Sequence, residues 1–251
     1  FVGSSLIGVL RSKGYTAFSL SSSPGEHIDD LECDLTDSSK INNVVKKLSG
    51  QKIEVVINLA SKLVHKKVNQ SEVFEQNLKI SNGFIELAKL LSPSKIINAS
   101  STAVYPEISG SFDEKSMIMP SVNTDALYGL SKFVAENLID INLKSPSTKC
   151  IHLRIGQIYG DGMPQDKIMP VLRRELRSDG KMTLFGSGER VIPFVNISFL
   201  VGVIIKFIEH KGKSGIYNVA SESYSLIELA HLISDEEGVS DPNIILIPEG
   251  K

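Results

Sequence analysis

Tryptophan is absent from the 251 residues, aromatic residues of all kinds make up only 6%, and there are just two cysteines. Two thiols, Cys33 and Cys150, are too few for the disulfide framework of a small secreted domain. Each stands in a short strand-like segment, where a free thiol packs as a small apolar side chain. The five histidines are scattered, with no His-x-x-x-His pair and no Cys/His cluster beside them. The spacing that metal ligation needs is therefore missing, and no metal is expected. An excess of one charge is lacking too. With 27 Lys and Arg against 29 Asp and Glu, the net charge of −2 leaves no electrostatic footprint for nucleic acid. Apolar runs such as 199–207 are too short to cross a bilayer, and no basic segment of a secretory signal precedes Phe1. The cytoplasm is the expected location, with no membrane partner.

What is present suits a globular fold. At 41% hydrophobic and 22% charged residues, the chain can bury one substantial core, or one core with a smaller appendage. Strand-length apolar runs at 16–20, 54–59, 95–99 and 149–155 alternate with helical patterns near 4–13, 38–48, 73–91 and 127–143. Alternation of this kind builds right-handed βαβ crossovers, hence an α/β protein with a parallel sheet and helices on both faces. After Gly160 the pattern breaks into short pieces at Met163-Pro164, Ser178-Asp179-Gly180 and Gly186-Ser187-Gly188. The spacing predicts a parallel-sheet α/β domain over 1–160 and a smaller substrate-facing lobe over 161–251, with some elements of the latter returning to the sheet.

In open parallel sheets ligands sit beyond the carboxyl ends of the strands, so the strand exits are where chemistry is sought. Gly3 opens an amphipathic helix whose first amides are available to a pyrophosphate. Asp34 stands at the tip of a strand, where its carboxylate can accept a hydrogen bond from an adenine amino group, whereas Thr36 or Asp37 is the helix cap. Two later exits, Asn58-Leu59-Ala60-Ser61 and Asn98-Ala99-Ser100-Ser101, end in small residues that let a ligand reach the backbone and that also suit turns. In Asp125-Ala126-Leu127-Tyr128-Gly129-Leu130-Ser131-Lys132, a phenol and an ammonium four residues apart share one helix face.

Taken in order, Phe1-Val2-Gly3, Cys33-Asp34-Leu35, Asn58-Leu59-Ala60, Asn77, Ser100 to Tyr105, Tyr128-Gly129-Leu130-Ser131-Lys132, Leu153-Arg154 and Tyr159-Gly160 resemble the extended short-chain dehydrogenase/reductases. More narrowly, they resemble the NAD-dependent epimerase/dehydratase family acting on nucleotide sugars. The resemblance implies a Rossmann-like, doubly wound fold and a catalytic set of Ser101, Tyr128 and Lys132. Tyr128 would be the acid/base. Lys132 would hold the nicotinamide ribose while its charge lowers the phenol pKa from its ordinary value of about 10. Gly3, Asp34, Leu35, Ala60 and Asn77 would line the cofactor, alongside Tyr128 and Lys132. That cofactor would be NAD or NADP. Ser21, Ser22 and Ser23 offer neither an acidic residue for the ribose nor an arginine for a 2′-phosphate, and NAD is favoured by family frequency.

The resemblance implies Ser101, Gln157 and Arg190 as substrate contacts: Gln157 replaces the family's asparagine and Ile192 its usual arginine, and Arg190 either takes over from the neighbouring position or is a solvated surface charge. A nucleotide sugar is the implied partner, and a homodimer is compatible with the family. Thr102-Ala103-Val104 lacks the carboxylate pair that dehydratases place there, which disfavours dehydration. The expected activity is epimerisation at C4, with a 4-ketoreductase or other small-carbonyl reductase as the alternative and a non-catalytic dinucleotide sensor behind both. Because the family's first strand and earlier glycines precede Gly3, and its members continue past Lys251, the sequence reads as part of a longer chain.

Overall fold

The computed structural model describes residues 1–23, 25–64, 69–108, 110–210 and 212–248. The chain forms two compact units. The larger comprises 2–155 and 201–219, the smaller residue 1 with 156–200 and 220–251. The elements run α1 (Val2–Ser12), β1 (Ser19–Ser21), β2 (Asp30–Glu32), α2 (Ser38–Lys47), β3 (Val55–Asn58), α3 (Gln70–Leu91), β4 (Lys95–Ser101), α4 (Ala126–Leu143) and β5 (Lys149–Ile155). They continue as β6 (Gln157–Tyr159), α5 (Ile168–Asp179), β7 (Lys181–Phe185), β8 (Val191–Asn196), α6 (Ile197–Glu209), β9 (Gly215–Val219), β10 (Glu222–Ser225), α7 (Leu226–Glu236) and β11 (Asn243–Ile247).

In the larger unit, β3, β4, β5 and β9 form a parallel sheet in that order, and β1 and β2 form a parallel pair. Helices α3 and α4 provide the crossovers β3 to β4 and β4 to β5, as a parallel ladder requires. The strands β4 and β5 are almost entirely buried, with Ile96, Ile97, Cys150, Ile151 and Leu153 at their centre, which is why they read as continuous apolar runs. Helix α2 begins where Asp37 accepts from the amide of Ser39 at 2.8 Å, and α3 begins at Gln70 rather than 73 because Asn69 caps the amide of Ser71 at 2.9 Å. Two other elements differ from the sequence expectation. β1 covers Ser19–Ser21, paired with Asp30–Glu32, because the Arg11 guanidinium takes the carbonyl of Ala17. β4 runs on to Ser101, paired with Ile155, so both serines of its exit lie within the strand.

The parallel register also lines up Asn58, Asn98 and His152 on neighbouring strands. Asn58 donates to Asn98 at 2.9 Å, Asn98 meets the Nδ1 of His152 at 3.2 Å, and the Nε2 of His152 meets Asp140 at 3.1 Å. The free oxygen of Asn58 accepts from the amide of Ala60 at 3.3 Å, so this buried row fixes the exit of β3. Polar side chains in a core are tolerated when they satisfy one another in this way.

In the smaller unit, β8 pairs parallel with β6 and antiparallel with β10, and β7 pairs parallel with β11. Its core is Leu172, Leu176, Met182, Leu184, Phe194, Leu226, Leu229, Ala230 and Ile233. The division falls after Ile155, not at 160. Gly156 lies so close to β8 that a Cβ there would stand 2.5 Å from the carbonyl oxygen of Pro193. Residues 201–219 belong to the larger unit, where β9 extends the sheet beside β5.

Candidate active site

The end of β4 and the first turns of α4 meet in the larger unit. Gly129 makes the approach feasible: a Cβ on it would stand 2.1 Å from the carbonyl oxygen of Ala103, so any other residue would drive the 102–104 turn off the helix. That contact explains why a glycine follows the tyrosine. Lys132 is buried, donates to the Ala99 carbonyl at 3.0 Å and lies 5.7 Å from the centroid of the Tyr128 ring. The hydroxyls of Ser101 and Ser61 face the Tyr128 phenol. Ser101 also accepts from the amide of Ala103 at 3.1 Å, which anchors its side chain at the head of the turn.

Burial dominates the electrostatics of this pair. It pushes the Tyr128 phenol up to about 12, with the charge of Asp125 adding to the rise and the Ser61 and Ser101 hydroxyls opposing it. This reverses the direction expected from the sequence: Lys132 is not among the groups that lower the phenol, and desolvation outweighs the groups that do. Burial likewise pushes Lys132 down to about 8, opposed by Glu136.

The other expected cofactor residues sit around the same strand ends. An added Cβ on Gly3 would meet only Leu59, at 3.9 Å, so the first turn of α1 is open beside the exit of β3. Asp34 accepts from both the amide and the hydroxyl of Thr36 at 2.8 Å, and these bonds hold its carboxyl below its ordinary range. The Leu35 carbonyl lies against α3 at Gly83, where a Cβ would stand 1.6 Å from it. Ala60 is exposed at the exit of β3. Asn77 spends its amide on the chain itself. Its oxygen accepts from the Lys62 amide at 2.7 Å and the Ser61 hydroxyl at 3.3 Å, while its nitrogen donates to the Lys62 carbonyl at 3.0 Å and to Ser131 at 3.2 Å. Asn77 thereby clamps the loop after β3 onto α4.

Gln157 and Arg190 belong to the smaller unit. Gln157 is half-buried in β6, opposite Phe194, and Arg190 is exposed just ahead of β8, its carbonyl accepting from the amide of Leu226 at 3.1 Å. Ile192 packs against that unit's apolar core.

Residues 1–220 match the NAD-dependent epimerase/dehydratase family. The chain belongs to that family. It is 29% identical over 206 residues to the dTDP-4-dehydro-6-deoxyglucose reductase of Escherichia coli, a match covering 79% of this chain and 64% of the relative. It is 31% identical over 159 residues to the ADP-L-glycero-D-manno-heptose-6-epimerase of Cupriavidus pinatubonensis, covering 59% of this chain and 46% of the relative. The matches thus span less than two thirds of either relative's length. The UDP-glucose 4-epimerase of Thermotoga maritima superposes with a TM-score of 0.80 at 19% identity, covering 100% of this chain and 84% of that one. At that identity the likeness establishes the fold, a Rossmann-like α/β architecture with a parallel sheet.

The family's dinucleotide fits the residues present: an open helix start at Gly3, a carboxylate at Asp34, a bare strand exit at Ala60 and an ammonium at Lys132. Two residues of this site escaped the sequence reading. Ser61 resembles any turn-forming serine, and nothing in its neighbours announces that it faces a phenol. Glu136 looks like a solvated helix position, yet it is 3% exposed, and its spacing of four from Lys132 was the available signal.

Proposed function

We propose that this protein is an NAD-dependent nucleotide-sugar epimerase acting at C4, with Tyr128 as its proton-transfer group. The observation that carries this reading is the convergence of Ser101, Tyr128 and Lys132 at the end of β4, with the ammonium 5.7 Å from the phenol ring. Ser101 orients the reacting oxygen. Tyr128 takes the proton of the sugar hydroxyl as the carbonyl forms and gives it back when the hydroxyl is restored on the other face. Lys132 holds the ribose beside the phenol. Gly3, Asp34, Leu35 and Ala60 cradle the dinucleotide, and Asn77 acts through the loop it clamps. Bound NAD supplies the hydride acceptor and donor at this site. Ser21, Ser22 and Ser23 carry no charge to pair with a 2′-phosphate, which favours NAD over NADP. Among the curated relatives, heptose 6-epimerases recur.

One-way reduction of a 4-keto nucleotide sugar is the second reading. It is favoured by a phenol that burial keeps in its acid form and by the activity of the E. coli relative. Gln157 and Arg190 would contact the substrate in either case. The two readings part on the fate of the cofactor. The purified protein is incubated with a panel of nucleotide hexoses and catalytic NAD, and products are separated by chromatography. A C4 epimer formed with no net change in nicotinamide absorbance is expected. Stoichiometric consumption of NAD(P)H by a 4-keto sugar, with no epimer from any hexose, establishes the reductase instead.

A further inference from the structure

Glu136 lies on α4 one turn beyond Lys132 and two beyond Tyr128, so the three share a stripe of the helix. Both of its oxygens are engaged. Arg154 donates from Nη2 to Oε2 at 2.8 Å and from Nε to Oε1 at 3.0 Å, and the hydroxyl of Ser100 donates to Oε1 at 2.5 Å. Arg154, 1% exposed, also donates from Nη1 to the Tyr105 hydroxyl at 3.0 Å and lies 5.1 Å from that ring. Tyr105 in turn donates to Asn218 at 2.8 Å. Three consecutive residues at the end of β4 therefore face one stripe of α4: Ala99 is bonded to Lys132, Ser100 to Glu136, and Ser101 faces Tyr128.

A buried Arg–Glu pair is not by itself a stabilising device, because apolar residues of the same volume usually do as well. What this pair adds is a carboxylate fixed one helical turn from a buried ammonium. Among the described residues, Lys132 meets Tyr128 and Glu136 from its own helix and the Ala99 carbonyl from β4, while the guanidinium of Arg154, on β5, is turned onto Glu136. Asp125, at the head of α4, acts on Tyr128.

We propose that Glu136 is a positioning residue for the Tyr128–Lys132 pair: paired with Arg154, it keeps the Lys132 ammonium charged in a buried site and, through Ser100, fixes the strand end that carries Ser101. Desolvation pulls Lys132 down, and Glu136 is the group that counters it. The inference rests on the proposed roles of Tyr128 and Lys132 for its catalytic meaning, though not for its electrostatics.

The test reads the Lys132 ammonium directly, by nitrogen–carbon correlation NMR of the side chain over a pH series, with Lys132→Arg to assign the signal. Wild type is compared with Glu136→Gln and with Glu136→Gln/Arg154→Gln. The double variant leaves neither buried charge unpaired and keeps the test open if the single variant unfolds. The Lys132 midpoint is expected to fall about tenfold in proton affinity, roughly 1 pH unit, in Glu136→Gln, and by a smaller but resolvable amount in the double variant, where loss of the Arg154 cation partly offsets loss of the carboxylate, provided each variant unfolds cooperatively on heating. Ser100→Ala, which keeps the carboxylate, should leave the midpoint within about 0.3 unit of wild type. A midpoint equally unmoved in a folded carboxamide variant overturns the inference. No substrate enters this measurement. A protein inactive on every nucleotide hexose therefore overturns the proposed function and leaves this inference standing, whereas an unmoved midpoint in an active variant does the reverse.

Discussion

The two units bury different things. Among the described residues, eleven polar or charged side chains are buried in the larger unit, including Asn58, Asn77, Asn98, Lys132, Glu136, His152 and Arg154, while in the smaller unit only Ser234 is. The smaller unit packs aliphatic residues around Phe194 and keeps its charges, such as the Arg177–Glu237 pair at 2.6 Å, near the surface. An apolar core is specified by volume and tolerates substitution, whereas a buried polar row works only if every member keeps its partner. The larger unit is thus committed residue by residue, while the smaller is committed mainly to shape. Gln157 and Ile192, where the resemblance implies an asparagine and an arginine, both fall in the smaller unit.

The sharpest way to break this contrast is at the phenol. Tyr128→Phe deletes one hydroxyl without disturbing the helix and should lower turnover by about 10²- to 10⁴-fold while leaving NAD affinity within a few-fold. Steady-state rates and calorimetric titration of NAD measure the two halves. Substantial turnover would remove Tyr128 from the chemistry and with it the functional claim on the larger unit.

Next in size is the buried row. Asn98→Leu leaves Asn58 and His152 each short of a partner, at about 1–3 kcal/mol for each unsatisfied group, so a loss of about 2–6 kcal/mol is expected in urea unfolding. Ser234 donates only to the carbonyl of Ala230 one turn back, at 2.9 Å, and Ser234→Ala should cost less than about 1 kcal/mol. Equal costs would erase the distinction between the two interiors.

How far the sequence revealed this arrangement depended on the range of the forces involved. The i,i+4 pair of Tyr128 and Lys132, the apolar runs of β4 and β5 and the helix stop at Leu91 are local patterns, and they are legible. The pairing of β7 with β11 is not, because its strands are far apart in sequence and neither names its partner. Glu136 was hidden for the same reason. A glutamate in a helix is ordinarily solvated, and what buries this one is Arg154, 18 residues further on in another strand. The phenol's direction was misjudged because a nearby lysine is visible in sequence while desolvation is not.

Desolvation yields the next prediction. With Lys132 at about 8 in the folded protein against an ordinary 10.5, the unfolded chain holds this proton more tightly between those values. Stability contributed by the site is therefore lowest below pH 8 and rises as the pH climbs toward 10.5, by about 2–3 kcal/mol. Lys132→Met removes the titration. The stability difference between wild type and variant, from urea unfolding at pH 7 and pH 10, should shift toward wild type by most of that amount. A difference independent of pH would mean that the ammonium is not desolvated, and the larger unit would then lose one of its buried charges.

The smallest expected effect lies in the smaller unit, at Arg190. Its side chain is exposed ahead of β8, so replacing it disturbs no core packing, and Arg190→Ala should leave unfolding unchanged within about 0.5 kcal/mol. If the guanidinium contacts the nucleotide, its loss removes binding that is equal in ground and transition states. KM should then rise by about 3- to 10-fold while kcat stays within about 2-fold. Steady-state kinetics on the nucleotide hexose picked out by the panel separates the two constants. A fall in kcat comparable to that of Tyr128→Phe would place a transition-state contact in the smaller unit, and the division between a unit that does the chemistry and a unit that supplies shape would no longer hold.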